Sequence, residues 1–276
     1  MRIFKFFLSH SLFVAACSAG LTYQSMLLLG LTINAQLLWL VFFSTLAGYN
    51  FYWILAQQYA VQIPSLKLFF STQWTYLMLF FLSAVGMVWI LLQRPALTPW
   101  VVGAIILTIA YSLPLWPLPK NSFIGKVGFI KTLLLAFTWT FVTVGFPVKA
   151  GMVKVDALVW TLCLLRWIFI LLLAIIFDTR DIAIDRMRAF HSLATDLTPQ
   201  LMKIMVKILF LLYTLLLASV LMMGLAIAQA IALALSGIVL WMVYRKSLIK
   251  RGYYFYYFLV DGVMLFSTFA SFVATI

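Results

Sequence analysis

Residues 156–188 read DALVWTLCLLRWIFILLLAIIFDTRDIAIDRMR. From Ala157 to Phe177 the stretch carries one charge, Arg166, and it then meets three aspartates, Asp178, Asp181 and Asp185. Crossing a hydrocarbon core of about 30 Å takes about 20 apolar residues in one helix, which is what this run supplies.

Working outward, similar runs occupy 8–29, 34–56, 72–93, 99–118, 126–147, 202–222, 224–244 and 253–275, giving nine with the one at 156–177. The composition agrees: 66% of the 276 residues are hydrophobic and 9% are charged, with a mean hydropathy of +1.14. A soluble domain has about 45–50% apolar and about 25% charged residues. Backbone groups in lipid must be paired internally, and these runs are too long for barrel strands, so an all-α polytopic membrane protein of nine spans is expected. The same figures exclude a disordered chain, collagen, a coiled coil and a disulfide-stapled scaffold. Turn signals fall at Gln93-Arg94-Pro95, at Pro117 and Pro119, from Gly145 to Pro147, and at Met222-Met223-Gly224.

The formal charge is +13, from 19 Lys and Arg against six Asp and no Glu. In a bilayer protein, such an excess is an orientation signal before it is a nucleic-acid footprint. With the N-terminus inside, the outer segments hold Arg94, Lys149 and Lys154, Arg166 lies within a span, and every other Lys and Arg falls on the inner side. The expected topology therefore has a cytoplasmic N-terminus and an external C-terminus. A bacterial inner membrane is the expected location, since no targeting extension precedes the first span. Val14-Ala15-Ala16-Cys17, following Arg2 and Lys5, resembles a lipoprotein cleavage box, but eight further spans follow, and it is read as part of the first helix. Cys17 and Cys163 both sit in apolar runs, which speaks against a disulfide framework.

Six carboxylates can be questioned singly. Asp178, Asp181 and Asp185 fall within roughly 60° of one another on a helix. A stripe of like charges needs cations among its members, and oxygen-rich clusters suit Mg²⁺ beside substrate phosphates. The alternative is a solvated segment in which the aspartates pair with Arg180, Arg186 and Arg188. Asp261 and Arg166 lie roughly 12 and 18 Å from the inner ends of their spans at 1.5 Å per residue, so a buried Arg166–Asp261 pair is expected to clamp the sixth helix to the ninth. Asp156 and Asp196 read as loop or helix-end residues. His10 and His191 have no metal-ligand companion at helical spacing. The run GYYFYYF at 252–258 reads as an interface anchor, and Arg245, Lys246, Lys250 and Arg251 as an orientation signal facing lipid headgroups.

Asp178-x-x-Asp181-x-x-x-Asp185-Arg186, at the inner end of the sixth of nine helices, resembles the second Asp-rich motif of the UbiA superfamily of intramembrane prenyltransferases. Tyr111-Ser112-x-Pro114, before a basic segment represented by Lys120, is similar to that family's Tyr-Ser-x-Pro-Pro segment. The likeness extends over nearly the whole chain, so 1–276 reads as a single UbiA-like transmembrane domain with a central cavity open near the inner face. At the first motif the chain departs from the pattern. Asn50 stands where the family has its Asn, but Ile54 and Gln58 stand at the two acidic positions.

The resemblance implies Mg-dependent transfer of a prenyl group from an allylic prenyl diphosphate to a lipid-soluble acceptor within the membrane. It also implies metal and catalytic roles for Asp178, Asp181 and Asp185, metal binding by Asn50, and diphosphate binding by Asn50, Lys120, Lys126, Lys131 and Arg186. Membrane lipids are the other expected partners, and nucleic acid is not one. Lys67 is a further candidate for the diphosphate charge. An allylic cation must be shielded from water and is stabilised by aromatic faces, and Tyr49, Phe51, Tyr52 and Trp53 surround Asn50, although aromatics are also ordinary bulk in membrane helices. Two other readings stay open: a non-catalytic relative that lost the first metal motif and binds an isoprenoid, and a transporter with Arg166 and Asp261 in its pathway.

Overall fold

A computed structural model of the chain describes residues 2–61, 66–112, 128–187 and 192–276, with side chains described outside 2, 57–72, 128–129 and 183–191. Twelve α-helices follow one another among these residues: α1 (Arg2–Ser9), α2 (Leu12–Leu28), α3 (Ala35–Val61), α4 (Leu66–Gln93), α5 (Thr98–Ser112), α6 (Gly128–Thr140), α7 (Phe146–Ala150), α8 (Ala157–Met187), α9 (Leu193–Asp196), α10 (Pro199–Met222), α11 (Ile227–Ser247) and α12 (Asp261–Val273). Two π-turns, Phe141–Gly145 and Phe255–Val260, lead into α7 and α12. Eight helical segments among the described residues are long and apolar enough to span a membrane. The bent pair α1–α2, turned by 65° at Ser11, makes a ninth. Each of the nine expected runs coincides with one of these. Residues 113–118 of the fourth run and 126–127 of the fifth lie outside the described residues.

Local sequence sets the turns. Gly30 and Gly224 hold φ of +63° and +96°, and the residue after each donates back five positions, Leu31 to Met26 and Leu225 to Val220. This is the glycine C-cap that satisfies the last carbonyls of α2 and α10. At the starts, Asn34 Oδ1 accepts from Leu37 N, Asp156 Oδ1 from Val159 N, and Thr198 Oγ1 from Leu201 N beside Pro199. Asp156 is thus a helix cap, as its position implied. One expected turn does not exist. Gly145 to Pro147 continues as helix, and the break comes later, at Gly151 and Met152. Pro147 has no N–H to give, and the chain widens into the π-turn at Phe141–Gly145 before it instead of breaking.

The bundle is built around α8. Of its most hydropathic window 78% is buried, against 11% for α4, and every residue from Ile168 to Ile176 is in the core. A helix apolar on all faces is one meant for an interior. Around it α12 packs on α2 and α11, α10 on both α8 and α11, α6 on α5 and α8, and α3 on α2 and α4, so the last span closes against the first.

Polar side chains fasten four of these helices. Arg166 Nη2 on α8 donates to Gln24 Oε1 at 2.8 Å, Ser25 Oγ at 3.2 Å and Leu21 O at 3.3 Å, all on α2. Gln24 Nε2 in turn donates to Ser267 and Ser271 on α12, and Gln229 Nε2 on α11 donates to Ser271 O. The expected Arg166–Asp261 ion pair is therefore not formed. Arg166 is level with the Ser267–Ser271 part of α12, and Asp261 is six residues nearer the other end, roughly 9 Å along the helix. Asp261 is buried, and its backbone carbonyl accepts from Cys17 Sγ at 3.4 Å. Both cysteines are free thiols.

Close approach of α3 and α4 depends on Gly86, where a Cβ would meet the Phe43 ring at 2.8 Å. Gly86→Val should destabilise the protein by about 1–3 kcal/mol through overpacking. Adding Phe43→Ala should recover part of that loss, read as unfolding midpoints in mild detergent.

Candidate functional site

Among the described residues, the alternation of the spans brings to one end of the bundle the C-terminal parts of α3, α5 and α8, the N-terminal part of α6, and the π-turn before α12. The helix α8 runs unbroken to Met187, so Asp178 and Asp181 project from adjacent turns of a rigid element. Asp178 Oδ2 accepts from Thr132 Oγ1 of α6 at 2.7 Å. Beside Thr132, the ammonium of Lys131 lies 5.8 Å from the Tyr52 ring centroid and 5.6 Å from that of Tyr111. Those two rings, from α3 and α5, stack at 5.2 Å.

Asp181 has a different partner. Arg180 holds it through Nε to Oδ1 at 2.7 Å and Nη2 to Oδ2 at 2.6 Å, the ion pair found among the described residues. The guanidinium is walled by Phe177, Tyr256 and Tyr257, at 5.0, 5.2 and 5.0 Å from their centroids. The run at 252–258 is thus not simply an interface anchor. Tyr253 and Tyr254 are exposed as an anchor requires, but Tyr256 is buried and with Tyr257 positions Arg180. The π-turn at Phe255–Val260 makes this possible, since an extra residue per turn resets which rings face α8.

Behind Tyr52 and Tyr111 a cavity of about 260 Å³ extends between α2, α3, α4, α5 and α6. It reaches Val101 on α5, roughly 15 Å from Tyr111 at 1.5 Å per residue. Its walls are apolar and aromatic, and Tyr49, Phe51, Tyr52 and Trp139 are among them. Trp53, grouped with them by sequence, is not. Trp139 Nε1 donates to Tyr49 Oη at 3.3 Å, which ties α6 to α3 across the wall. Hydroxyls on the wall mostly bond their own helix, as Thr108 does to Ala104 O, Thr138 to Leu134 O and Thr143 to Trp139 O, so the chamber stays apolar in character.

Asn50 is fully buried at the same end of α3. Its Nδ2 donates to Leu46 O at 2.7 Å, and its Oδ1 has no hydrogen-bond partner. Ile54 is buried one turn on. Of the residues implied for diphosphate binding, Asn50 and Lys131 are brought to this end. Lys120 and Lys126, and the side chains of Gln58, Lys67, Asp185 and Arg186, lie outside what is described. Among the described residues no three His, Cys or Asp side chains gather closely enough to hold a metal ion. The donor chemistry nevertheless fits a hard dication: Asp178 and Asp181 offer carboxylate oxygens, and Asn50 has an orphaned buried carbonyl oxygen. Arg180 is the competitor such an ion would meet at Asp181.

Sequence reasoning missed Thr132, Tyr256 and Tyr257, and assigned Arg180 only to a generic pairing. Nothing in the spacing singles out Thr132, whose role comes from the packing of α6 on α8.

Two solved structures share this fold. A UbiA homolog from Aeropyrum pernix K1, solved in its apo form, superposes with a TM-score of 0.62 at 16% identity, over 95% of this chain and 96% of that one. A digeranylgeranylglyceryl phosphate synthase superposes with a TM-score of 0.55 at 15% identity, over 99% of both chains. No protein-family model matches the chain, and no curated protein matches it by sequence.

Thr132→Val removes a hydrogen bond to a partly buried carboxylate and should cost about 1.5–3 kcal/mol. Thr138→Val, which removes only a bond within its own helix, should cost less than about 0.5 kcal/mol. Equal losses in chemical denaturation would mean that the Thr132–Asp178 bond contributes nothing particular.

Proposed function

We propose that this protein is an intramembrane prenyltransferase that moves a prenyl group from an allylic prenyl diphosphate to a lipid-soluble acceptor. The observation that carries the reading is the meeting of two environments at Tyr52 and Tyr111. On one side lies the apolar chamber, and on the other Lys131 with the Thr132–Asp178 pair. A prenyl diphosphate has those same two halves.

The chain's residues divide the work accordingly. Lys131, covering both tyrosine rings, is placed to receive diphosphate charge as a point cation, with Lys120, Lys126 and Arg186 as further candidates. Asp178, Asp181, Asp185 and Asn50 are the residues that would hold Mg²⁺. When bound, Mg²⁺ neutralises charge on the departing diphosphate. The reaction breaks the allylic C–O bond, whose electron pair leaves with the diphosphate. The acceptor then donates an electron pair to the allylic carbon and gives up a proton. Tyr49, Tyr52, Tyr111 and Trp139 offer ring faces to the cation, and the apolar walls exclude the water that would quench it. Thr132 orients Asp178.

Supporting this reading are the fold shared over nearly the whole chain and the Asp string at the end of α8. We treat 1–276 as one domain, in a bacterial inner membrane, with the Asp end of the bundle cytoplasmic on the strength of its Lys and Arg excess. Ile54 and Gln58 at the first-motif positions favour one second reading, a non-catalytic relative that binds an isoprenoid.

Binding of a labelled allylic prenyl diphosphate to the detergent-purified chain should require Mg²⁺ and should weaken at least about tenfold in Asp178→Ala, the scale of one lost charge-assisted contact. Binding indifferent to both chelator and mutation overturns the proposal. Turnover that is absent in the native chain and appears in Ile54→Asp/Gln58→Asp selects the second reading.

A further inference from the structure

A second cavity lies apart from the chamber just described. It is small, about 20 Å³, lies between α2, α8, α10, α11 and α12, and shares no lining residue with the first. Its walls are apolar at Leu162 and Phe169, and polar at Gln24, Arg166, Tyr213 and Ser267. Arg166 is 6% exposed. Its Nη2 is committed to α2, but its Nη1 is buried and makes no hydrogen bond. Tyr213 Oη is already used on Leu233 O at 2.9 Å. Ser267 Oγ accepts from Gln24 Nε2 at 2.8 Å, which leaves its hydroxyl hydrogen to be donated elsewhere. The cavity therefore presents a guanidinium edge and a hydroxyl, both donors.

The positive charge also needs an opposite. All three acceptors of Arg166 are neutral oxygens. The chain's six carboxylates are placed elsewhere: Asp156 caps α8, Asp178 bonds Thr132, Asp181 is held by Arg180, and Asp185 is 19 residues along the same helix, roughly 28 Å away. Asp196 is the last residue of α9, hydrogen-bonded by Thr195, and Asp261 is not within ion-pair distance of Arg166. A buried guanidinium in a bilayer-depth helix is strongly disfavoured unless it is neutralised.

We infer that this second cavity is a binding site for one compact inorganic anion of halide size, held by Arg166 Nη1 and the Ser267 hydroxyl. The bound anion completes the charge balance that the chain leaves open, and it joins α8 to α12 where the expected Asp261 does not. The site is independent of the prenyl diphosphate reading, because the two cavities are separate.

The test is thermal unfolding of the full chain in detergent, delipidated, with sodium chloride, bromide and nitrate titrated against gluconate at constant ionic strength. A parallel arm adds phosphatidylglycerol or phosphatidylcholine. The expected result is a saturable rise in Tm with chloride or bromide, absent in Arg166→Met and not reproduced by either lipid. A response confined to phosphatidylglycerol overturns the inference, because a lipid phosphate is too large for this space. Ser267→Ala keeps Arg166 and should weaken half-saturation about five- to tenfold, the loss of one hydrogen bond, which serves if Arg166→Met does not fold. A native Tm indifferent to every anion and lipid overturns the inference, as does a response unchanged in Arg166→Met or in Ser267→Ala.

Discussion

A guanidinium midway along a membrane helix has to be given oxygen by its neighbours, and the way Arg166 is served organises half of the bundle. Gln24 is the hub: it accepts from Arg166 on α8 and donates to Ser267 and Ser271 on α12, which in turn receives Gln229 from α11. Lipid tails are as apolar as leucine, so helices in a bilayer gain little by hiding leucine from lipid. Association rests on packing and on polar links of about 0.6–2 kcal/mol each. The network joins the first, sixth, eighth and ninth spans, and it fixes the axial register of α8 against α2 and α12.

That register decides what the Asp end can present. With α8 held, Asp178 meets Thr132 of α6, and Arg180 meets the rings of the π-turn before α12. The arginine competes with any cation for Asp181, so the stripe of aspartates is not a uniform acidic surface. One member is tied to a neighbouring helix and one to its own neighbour in sequence. The two halves of the bundle differ in consequence. The half around Arg166 is closed by polar links, and the half formed by α3, α4, α5 and α6 encloses the large chamber, where hydroxyls turn back onto their own helices.

Helix number, the ends of most helices and the aspartate string at the end of α8 were legible in the sequence. Each depends on information local to a segment: about 20 apolar residues, a glycine after a helix, an aspartate string on one face. Asp156 as a cap and the stripe of Asp178 and Asp181 follow from the same locality. Gly145 to Pro147 misled because a proline can be absorbed by a π-turn, an option chosen by the packing of neighbouring helices and not by the dipeptide.

The pairing of charges could not be read that way. Depth estimates put Arg166 and Asp261 close enough to meet, but depth is one coordinate, and the azimuth and sliding of two helices are set by everything else they touch. Gln24 and Ser267 captured the level that Asp261 had been expected to fill, and the π-turn turned Tyr256 and Tyr257 onto Arg180. What the sequence determined by itself was which segments cross the bilayer and where acidic and basic residues cluster, because hydrophobic periodicity and helix caps act within a few turns. Which polar atoms satisfy one another, and which, such as Arg166 Nη1 and Asn50 Oδ1, are left without a partner, was decided only by tertiary packing, because those contacts join different helices, in the case of Arg166 more than a hundred positions apart, or fail to join them at all.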